Sequence, residues 1–412
     1  LGQNWTESAP GFDFIMGSQD PDFKYKAARN GWLSADPRIA TPYTMSNSKN
    51  FNARGLIEPI PDLRIEVTMK RDFTKSTTSN FKFDTTAGFN DFRDLAPVES
   101  GTYSITYNVF KTAFKDPDEI YNDFLQARYD IATRLKNENP GKSTGIDPAT
   151  GFPNGYGSGQ QEVLMYSFLS AYSGKNPSKQ STKLFPAIPD MNWRVNYNGL
   201  SKIEALKEYT SNISLNHSYT SNYNIANYTT SVSFSDSSIN QPGTTIQPKY
   251  IIRSVSITER FSPLLGIDIT FLNNITTSFS YNTGRTLSLA LTNPQLTETR
   301  NKEYTIGLGY RTKELKLPFG RGRQRVLEND VNFRFDFSIR DDQTIVKKID
   351  QSVNEPVNGS KVISIKPTID YMFNEKLNLR IFYDRRVTKP ATSNSYPTAI
   401  TSGGFTIRYT IQ

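Results

Sequence analysis

Hydrophobic and polar residues alternate along much of the chain, and this pattern predicts many β-strands. The clearest rows begin at Leu63, Val331, Ile363 and Leu377. Successive side chains of a strand point to opposite faces, so each row predicts one apolar and one polar face. With the weaker rows, the pattern predicts about fifteen strands.

The last row of the sequence has the same two-sided character. Its apolar residues are Phe405, Ile407, Tyr409 and Ile411, and polar residues including Arg408 stand between them. A soluble protein rarely leaves such a strand at a sheet edge, whereas an outer-membrane barrel uses its final strand to close the wall. We therefore expect an all-β, antiparallel transmembrane β-barrel, with these four apolar residues facing lipid.

The polar faces of the rows are the candidate lining of a pore. They carry both signs of charge and no large apolar group, which suits a hydrated wall. The pore-facing candidates are Arg64, Glu66, Lys70, Asn332, Arg334, Asp336, Arg340 and Arg408.

The connectors between rows divide into short and long ones, as in bacterial barrels. The predicted short turns are Glu58–Asp62, Ser262–Leu264, Asn282–Arg285 and Asn374–Lys376. The predicted long loops are Ser235–Gln247, Asp341–Gly359 and Asp384–Gly403, and Asn273-Asn274 predicts a tight hairpin at the long-loop end. Strands of roughly 9–11 residues, the length that crosses a bilayer, would lie between them, with tyrosines such as Tyr304 and Tyr310 at the interfaces.

Residues 111–192 break the alternation and predict helices. Asp116 is a candidate N-cap before Pro117, and apolar residues then recur at helical spacing from Ile120 to Leu135. A second, shorter helix is predicted around Phe168. The predicted organisation is a loop or lid (residues 1–50), barrel strands (51–110), a helix-containing cap insertion outside the membrane (111–192) and further barrel strands (193–412).

Composition agrees with a barrel and excludes several kinds of chemistry. Only 36% of the 412 residues are hydrophobic, and no run of 18 apolar residues predicts a membrane-spanning helix. The chain has no cysteine, which excludes disulfides and thiolate chemistry. It begins with Leu1 and shows no signal peptide, so we expect Leu1 to lie within a longer or processed protein.

No catalytic or metal-binding constellation stands out. His217 is the only histidine and lies in an apolar row. The stretch Gly141–Thr144 resembles the end of a phosphate-binding loop, but Lys136 stands where that motif requires glycine. We expect no enzymatic activity, no cofactor and no metal.

The net charge of +8 includes one basic connector, with Arg321, Arg323 and Arg325. Such a segment suits anionic lipid headgroups, nucleic acid or a periplasmic partner, or is simply a solvated connector. No aromatic residues interleave the charges, which disfavours nucleic acid.

Several separate motifs along the chain have a recognisable sequence. They are Pro10–Gly17, Ala28–Ser34, Phe261–Asp268, Leu317–Gly320, Val331–Arg340 and Thr388–Ser395. In this order they resemble the C-terminal part of the SprA (Sov) family, the outer-membrane translocons of the type IX secretion system of Bacteroidetes.

The resemblance implies a very large single-chain barrel, of the class that reaches about 36 strands. Folded proteins with a C-terminal secretion domain would cross its lumen. A PorV-type outer-membrane barrel would occupy a lateral opening, and a plug protein would close the periplasmic end. The remaining N-terminal part of the same barrel would supply the missing strands. Outer-membrane lipid and lipopolysaccharide would surround it, with loops at the cell surface, and no nucleic acid is expected.

Two alternatives stay open on the residues alone. One is an outer-membrane barrel that transports nutrients or lipopolysaccharide. The other is an all-β cell-surface adhesin, in which the apolar rows would be buried between two sheets. Burial of Phe333, Phe335, Ile365 and Ile381 in a dry core would exclude the membrane interpretation.

Overall fold

The computed structural model of the chain describes most of its length. The described residues are 12–18, 20–39, 41–88, 90–139, 143–232, 234, 245–313, 315–316, 326–327, 329–349, 354–374, 376–392 and 395–410.

Long strands dominate the described residues. They are β1 (Tyr43–Ile57), β2 (Leu63–Asp84), β3 (Asp91–Thr106), β4 (Asn192–Tyr197), β5 (Thr210–Thr230), β6 (Tyr250–Ile252), β7 (Ser254–Phe271), β8 (Ile275–Ala290), β9 (Gln295–Thr312), β10 (Leu315–Lys316), β11 (Val326–Leu327), β12 (Val331–Lys348), β13 (Asn354–Asn374), β14 (Leu377–Pro390) and β15 (Thr398–Tyr409).

Thirteen of these strands form one antiparallel sheet. Its order is β1-β2-β3-β5-β7-β8-β9-β12-β13-β14-β15, with β4 between β2 and β5 and with β6 paired to β5. Strands β10 and β11 form a separate pair. The predicted antiparallel, mainly β chain is therefore confirmed. About fifteen strands were predicted, and the described residues contain 15, of which 13 belong to this sheet. Within the described residues, β1 and β15 are the two edges of the sheet.

The helices are fewer and lie largely in two segments. They are α1 (Phe12–Ile15), α2 (Phe23–Arg29), α3 (Pro117–Glu138), α4 (Gln161–Ser173) and α5 (Glu204–Lys207). Helix α3 begins as predicted: the Asp116 carboxylate accepts hydrogen bonds from the backbone amides of Asp118 at 2.9 Å and Glu119 at 3.2 Å. Helix α4 ends at Gly174, whose left-handed φ of 64° is the conformation that favours glycine.

The helical insertion separates β3 from β4, two strands that occupy the same place in the sheet, between β2 and β5. Strand β3 ends opposite Arg71 of β2, and β4 begins opposite Thr68 of the same strand. Residues 107–191 therefore leave the sheet in mid-strand, and pairing with β2 resumes three residues further along that strand. The predicted insertion is thus found with nearly its predicted bounds.

The strands are about twice as long as predicted, because several predicted turns and loops are strand. Ser262–Leu264 and Asn282–Arg285 lie inside β7 and β8, and most of Asp341–Gly359 and Asp384–Gly403 belongs to β12–β15. Polar residues populate both faces there, so the alternation fades while the backbone pairing continues. The predicted loop Ser235–Gln247 lies mostly outside the described residues.

Two further corrections follow from the longer strands. The hairpin at Asn273-Asn274 lies at the same end of the sheet as Glu58–Asp62 and the turn before Leu377, so it is not an exception to the short-turn rule. The segment before residue 51 is not all loop: α2 forms there, and β1 begins at Tyr43. Lys24 of α2 is buried and forms an ion pair with Asp94 of β3.

Candidate functional site

The strand register places the apolar rows on one face of the sheet. Residues directly opposite each other in an antiparallel pair share a face. Phe333 of β12 is opposite both Tyr310 of β9 and Ile369 of β13. Ile381 of β14 continues the row, opposite Ile369 and Phe405. From β5 to β15 the alternating apolar side chains therefore form a single surface.

The lower part of this surface, toward the Asn273-Asn274 turn, is uncovered, and we call it the bare band. It comprises the apolar residues of β7–β9 and β12–β15 between that turn and the middle of the sheet. Leu308 is 44% exposed and Ile381 is 46% exposed. None of the four residues whose burial would exclude a membrane, Phe333, Phe335, Ile365 and Ile381, is buried. No second sheet covers this band among the described residues.

Aromatic pairs mark both ends of the bare band. Tyr281 and Tyr304 stack with ring centroids 4.5 Å apart at the middle of the sheet. Tyr310 and Phe333 stack at 6.2 Å near the turns. The stretch Tyr304–Tyr310 spans seven residues, which is shorter than the roughly 9–11 residues with which a tilted strand crosses a bilayer.

The upper part of the same surface is covered by the insertion, and we call it the covered half. Leu287 of β8 and Leu296 of β9 are fully buried there. They share one hydrophobic core with Phe124 of α3 and Phe168 of α4. The insertion therefore lies on the apolar face of the sheet, and it does not plug the space in front of the polar face.

Hydrogen bonds also fasten the insertion to the sheet. The side chain of Gln161 in α4 donates to the carbonyl of Tyr250 at 2.9 Å and accepts from the amide of Ile252 at 2.8 Å. The Tyr103 hydroxyl donates to the carbonyl of Pro186 at 2.5 Å. Together with the shared core, these hydrogen bonds fix the orientation of the insertion on the sheet.

Charged side chains separate the covered half from the bare band, and we call them the border row: Glu259, Arg285, Glu298, Arg300 and Lys302. Arg285 Nε donates to Glu259 Oε2 at 2.7 Å, and both side chains are buried. Arg300 Nε donates to Glu298 Oε1 at 2.5 Å.

The Glu259–Arg285 pair also holds the start of the insertion. Arg285 Nη2 donates to Thr112 Oγ1 at 2.7 Å. The Tyr219 hydroxyl donates to Glu259 Oε1 at 2.9 Å and accepts from the Val109 amide at 3.1 Å. The sequence offered one sign of this cluster: Glu259 interrupts the apolar row that includes Val255 and Ile257.

The opposite face of the sheet is polar, and its charges are largely paired. All eight pore-facing candidates occupy register positions on this face: Arg64, Glu66, Lys70, Asn332, Arg334, Asp336, Arg340 and Arg408. Arg334 pairs with Asp336 at 2.7 Å and Arg340 with Asp342 at 2.8 Å. Arg380 and Asp370, on adjacent strands, are 2.6 Å apart. Neighbouring opposite charges partly neutralise one another, although basic residues outnumber acidic ones among the eight candidates.

The C-terminal row is described as far as residue 410. Phe405, Ile407 and Tyr409 of β15 are exposed on the apolar face, while Arg408 lies on the polar face. Ile411 lies outside the described residues, as do Arg321, Arg323 and Arg325 of the basic connector and Gly141-Lys142 of the loop motif.

The contacts of His217 are with neighbouring residues of the sheet. Its Nδ1 lies 2.7 Å from the carbonyl oxygen of Leu264, at the point where the β5–β7 register shifts. Its ring is 6.1 Å from that of Phe261. Among the described residues, no group of three or more His, Asp or Glu side chains is placed to hold a metal ion.

Comparisons with known proteins do not assign the chain to a family. No family model matches the chain, and no curated protein sequence matches it. Within the described part of the chain, no helix has the length and apolarity to cross a membrane.

Proposed function

We propose that this chain forms part of the wall of an outer-membrane β-barrel that conducts folded proteins. The observation that carries the proposal is the division of one sheet into an exposed apolar band and a polar face of paired charges. An exposed apolar surface of this extent is unfavourable in water, and lipid is the environment in which it is stable.

The shape of the sheet favours a wide conduit over a narrow pore. Within the described residues, β1 and β15 are the edges of the 13-stranded sheet, and each pairs with a neighbour on one side only. Further strands, from the remaining part of the same barrel, would complete the wall. A polar face of adjacent, opposite and exposed charges offers passing proteins no large apolar patch, so cargo would bind it weakly.

The proposed partners follow from the family resemblance. They are secreted cargo with a C-terminal secretion domain, a PorV-type barrel at a lateral opening, a plug protein, and the lipid and lipopolysaccharide of the outer membrane. The transport step needs no nucleophile or cofactor from this chain, so we propose that it is not an enzyme.

Site-specific labelling tests the proposal, and the absence of native cysteine in this chain makes single-cysteine variants simple to interpret. Leu308→Cys lies on the bare band and Arg334→Cys on the polar face. In membranes of cells expressing the full-length protein, a water-soluble maleimide should label Arg334→Cys and spare Leu308→Cys. Detergent-denatured protein should label at both positions.

Two outcomes would contradict the proposal at different levels. Equal labelling of the two cysteines in intact membranes would exclude lipid contact at the bare band. Unequal labelling, but no crosslink between Arg334→Cys and secreted cargo arrested in transit, would replace the protein conduit by a barrel for small nutrients or lipopolysaccharide.

A further inference from the structure

A cavity of about 190 Å³ opens at the border between the covered half and the bare band. The first residues of the insertion form one wall, and the middles of β7, β8 and β9 form the other. Its lining includes Phe114, Lys115, Glu259, Arg285, Arg300 and Lys302. Four of these six residues are basic, and one is acidic.

The buried Arg285 has hydrogen-bonding capacity that the protein does not use. Its residue surface is only 5% exposed, and Nε and Nη2 are bonded to Glu259 and Thr112. Its Nη1 has no hydrogen-bond partner. Arg300, bonded through Nε to Glu298, likewise has an unpartnered Nη2. Buried donors without partners are rare, and an oxyanion is the group that guanidinium donors bind best.

Basic side chains at the cavity mouth add to this attraction. Lys302 is exposed on the apolar face just above Tyr304. Lys115 stands on the opposite wall, with Glu119 at 3.7 Å as a loose partner. Since Glu259 and Glu298 each already pair with an arginine, the two lysines are the charges available to an arriving anion.

The surroundings indicate that the anion belongs to a lipid. Phe114, at the rim, is 64% exposed although its ring is 5.3 Å from that of Phe261. Below the cavity the stacked Tyr281–Tyr304 pair opens onto the exposed apolar residues of the bare band. Aromatic residues beside basic ones, above an apolar surface, form the arrangement that holds a headgroup while acyl chains extend along the protein.

We propose that this cavity binds the phosphate group of a membrane lipid headgroup, with the lipid's acyl chains lying on the bare band. The inference rests on the proposed membrane function. The phosphate would accept hydrogen bonds from Arg285 and Arg300, and Lys115 and Lys302 would neutralise its remaining charge. A lipid held there would bridge the insertion and the sheet, and so would fix the insertion at the membrane surface.

The test is native mass spectrometry of delipidated full-length protein in detergent, with lipid A as the probe. The double variant Lys115→Gln/Lys302→Gln removes two exposed charges and leaves the buried pairs intact. It should weaken lipid A binding by about one order of magnitude. The matched control Lys175→Gln/Lys179→Gln removes two exposed lysines of the insertion that do not line the cavity, and it should bind lipid A as the wild type does.

Two further arms identify the source of the anion. Chemically dephosphorylated lipid A should bind weakly to the wild type, and inorganic phosphate should displace lipid A only at much higher concentration. Phe114→Ser should weaken binding of lipid A without changing binding of inorganic phosphate, because only the lipid reaches the apolar rim.

Several results would overturn the inference. These are unchanged lipid A binding in the double variant, an equal loss in the control, equal binding of dephosphorylated lipid A, or displacement by inorganic phosphate at the same concentration as the lipid. The assay is performed in detergent and does not depend on cysteine labelling in membranes. A negative result for lipid A binding therefore does not contradict the proposed channel. A negative result in the labelling test does not prevent lipid A binding from being measured.

Discussion

The covered half and the bare band lie on one face of the same strands, yet they have opposite surroundings. On β9, Leu296 is buried against the insertion, whereas Tyr304, Ile306 and Leu308 on the same face are exposed. The side chains are equally apolar in both parts. The alternation of apolar and polar residues therefore identifies which face of a strand avoids water. It does not show whether protein or another phase covers that face, which the tertiary structure decides.

The largest expected effect comes from the border row, which joins the two parts. Glu259→Leu leaves Arg285 charged, buried and without its carboxylate, and should lower the free energy of unfolding by about 3–5 kcal/mol. Chemical denaturation of the full-length protein, with hydrogen exchange of α3 and α4 as a local probe, measures the loss. Glu259→Leu/Arg285→Met removes both charges and should restore much of it; a double variant no better than the single one would show that the pair has another role.

The next effect tests the covered half directly. Leu287→Ala removes a fully buried side chain beneath the insertion and should cost about 2–5 kcal/mol, the range for cavity-forming changes in cores. Limited proteolysis should then cut the insertion faster. Leu308→Ala, the same change on the bare band, is the matched control and should leave proteolysis of the insertion unchanged. Equal acceleration in both variants would contradict the division into two surfaces.

Placing a charge on the bare band tests whether lipid or water surrounds the band. Leu308→Lys should cost about 2–4 kcal/mol if the band faces the middle of a bilayer, and close to nothing in water. Reversible folding of the full-length protein into lipid vesicles measures the difference. Val357→Lys places the same charge at an exposed position far above the band, and it should fold as the wild type does. A neutral effect at Leu308 would exclude lipid contact there.

The smallest effect is expected on the polar face. Asp336→Asn breaks the exposed pair with Arg334 and should change stability by at most about 1 kcal/mol, because water screens such pairs. Its measurable consequence should be a modest shift of ion selectivity toward anions in planar-bilayer conductance of the full-length protein. A shift of the same size for Glu204→Gln, in α5 outside the sheet, would mean that Asp336 does not line the conducting path.

The local features of the fold could be predicted from the sequence. The Asp116 cap, the buried positions Ile120, Phe124, Ile131 and Leu135 of α3, and the turn at Glu58–Asp62 all occur where they were expected. The predicted turns inside β7 and β8 were wrong. Ser262–Leu264 form a bulge at which the register of β7 shifts against both β5 and β8, and Asn282–Arg285 stay paired with β9. Turn residues act locally, and a long strand can absorb them as a bulge when its pairing resumes beyond it.

The candidate site shows the same division. The sequence identified which residues share the polar face and which share the apolar face. It did not identify the border row as a cluster, because Glu259, Arg285 and Arg300 belong to three different strands that only the folded sheet brings together.

By itself, therefore, the sequence determined the two-sidedness of the clearly alternating strands and the start of helix α3 in the insertion. Both follow from backbone geometry over a few neighbouring residues: a period of two in strands, and unpaired amides at a helix start. Only the tertiary structure decided how far each strand runs, that the insertion lies on the apolar face, and which half of that face stays bare. Those properties depend on contacts between residues far apart in the chain, which no local pattern contains.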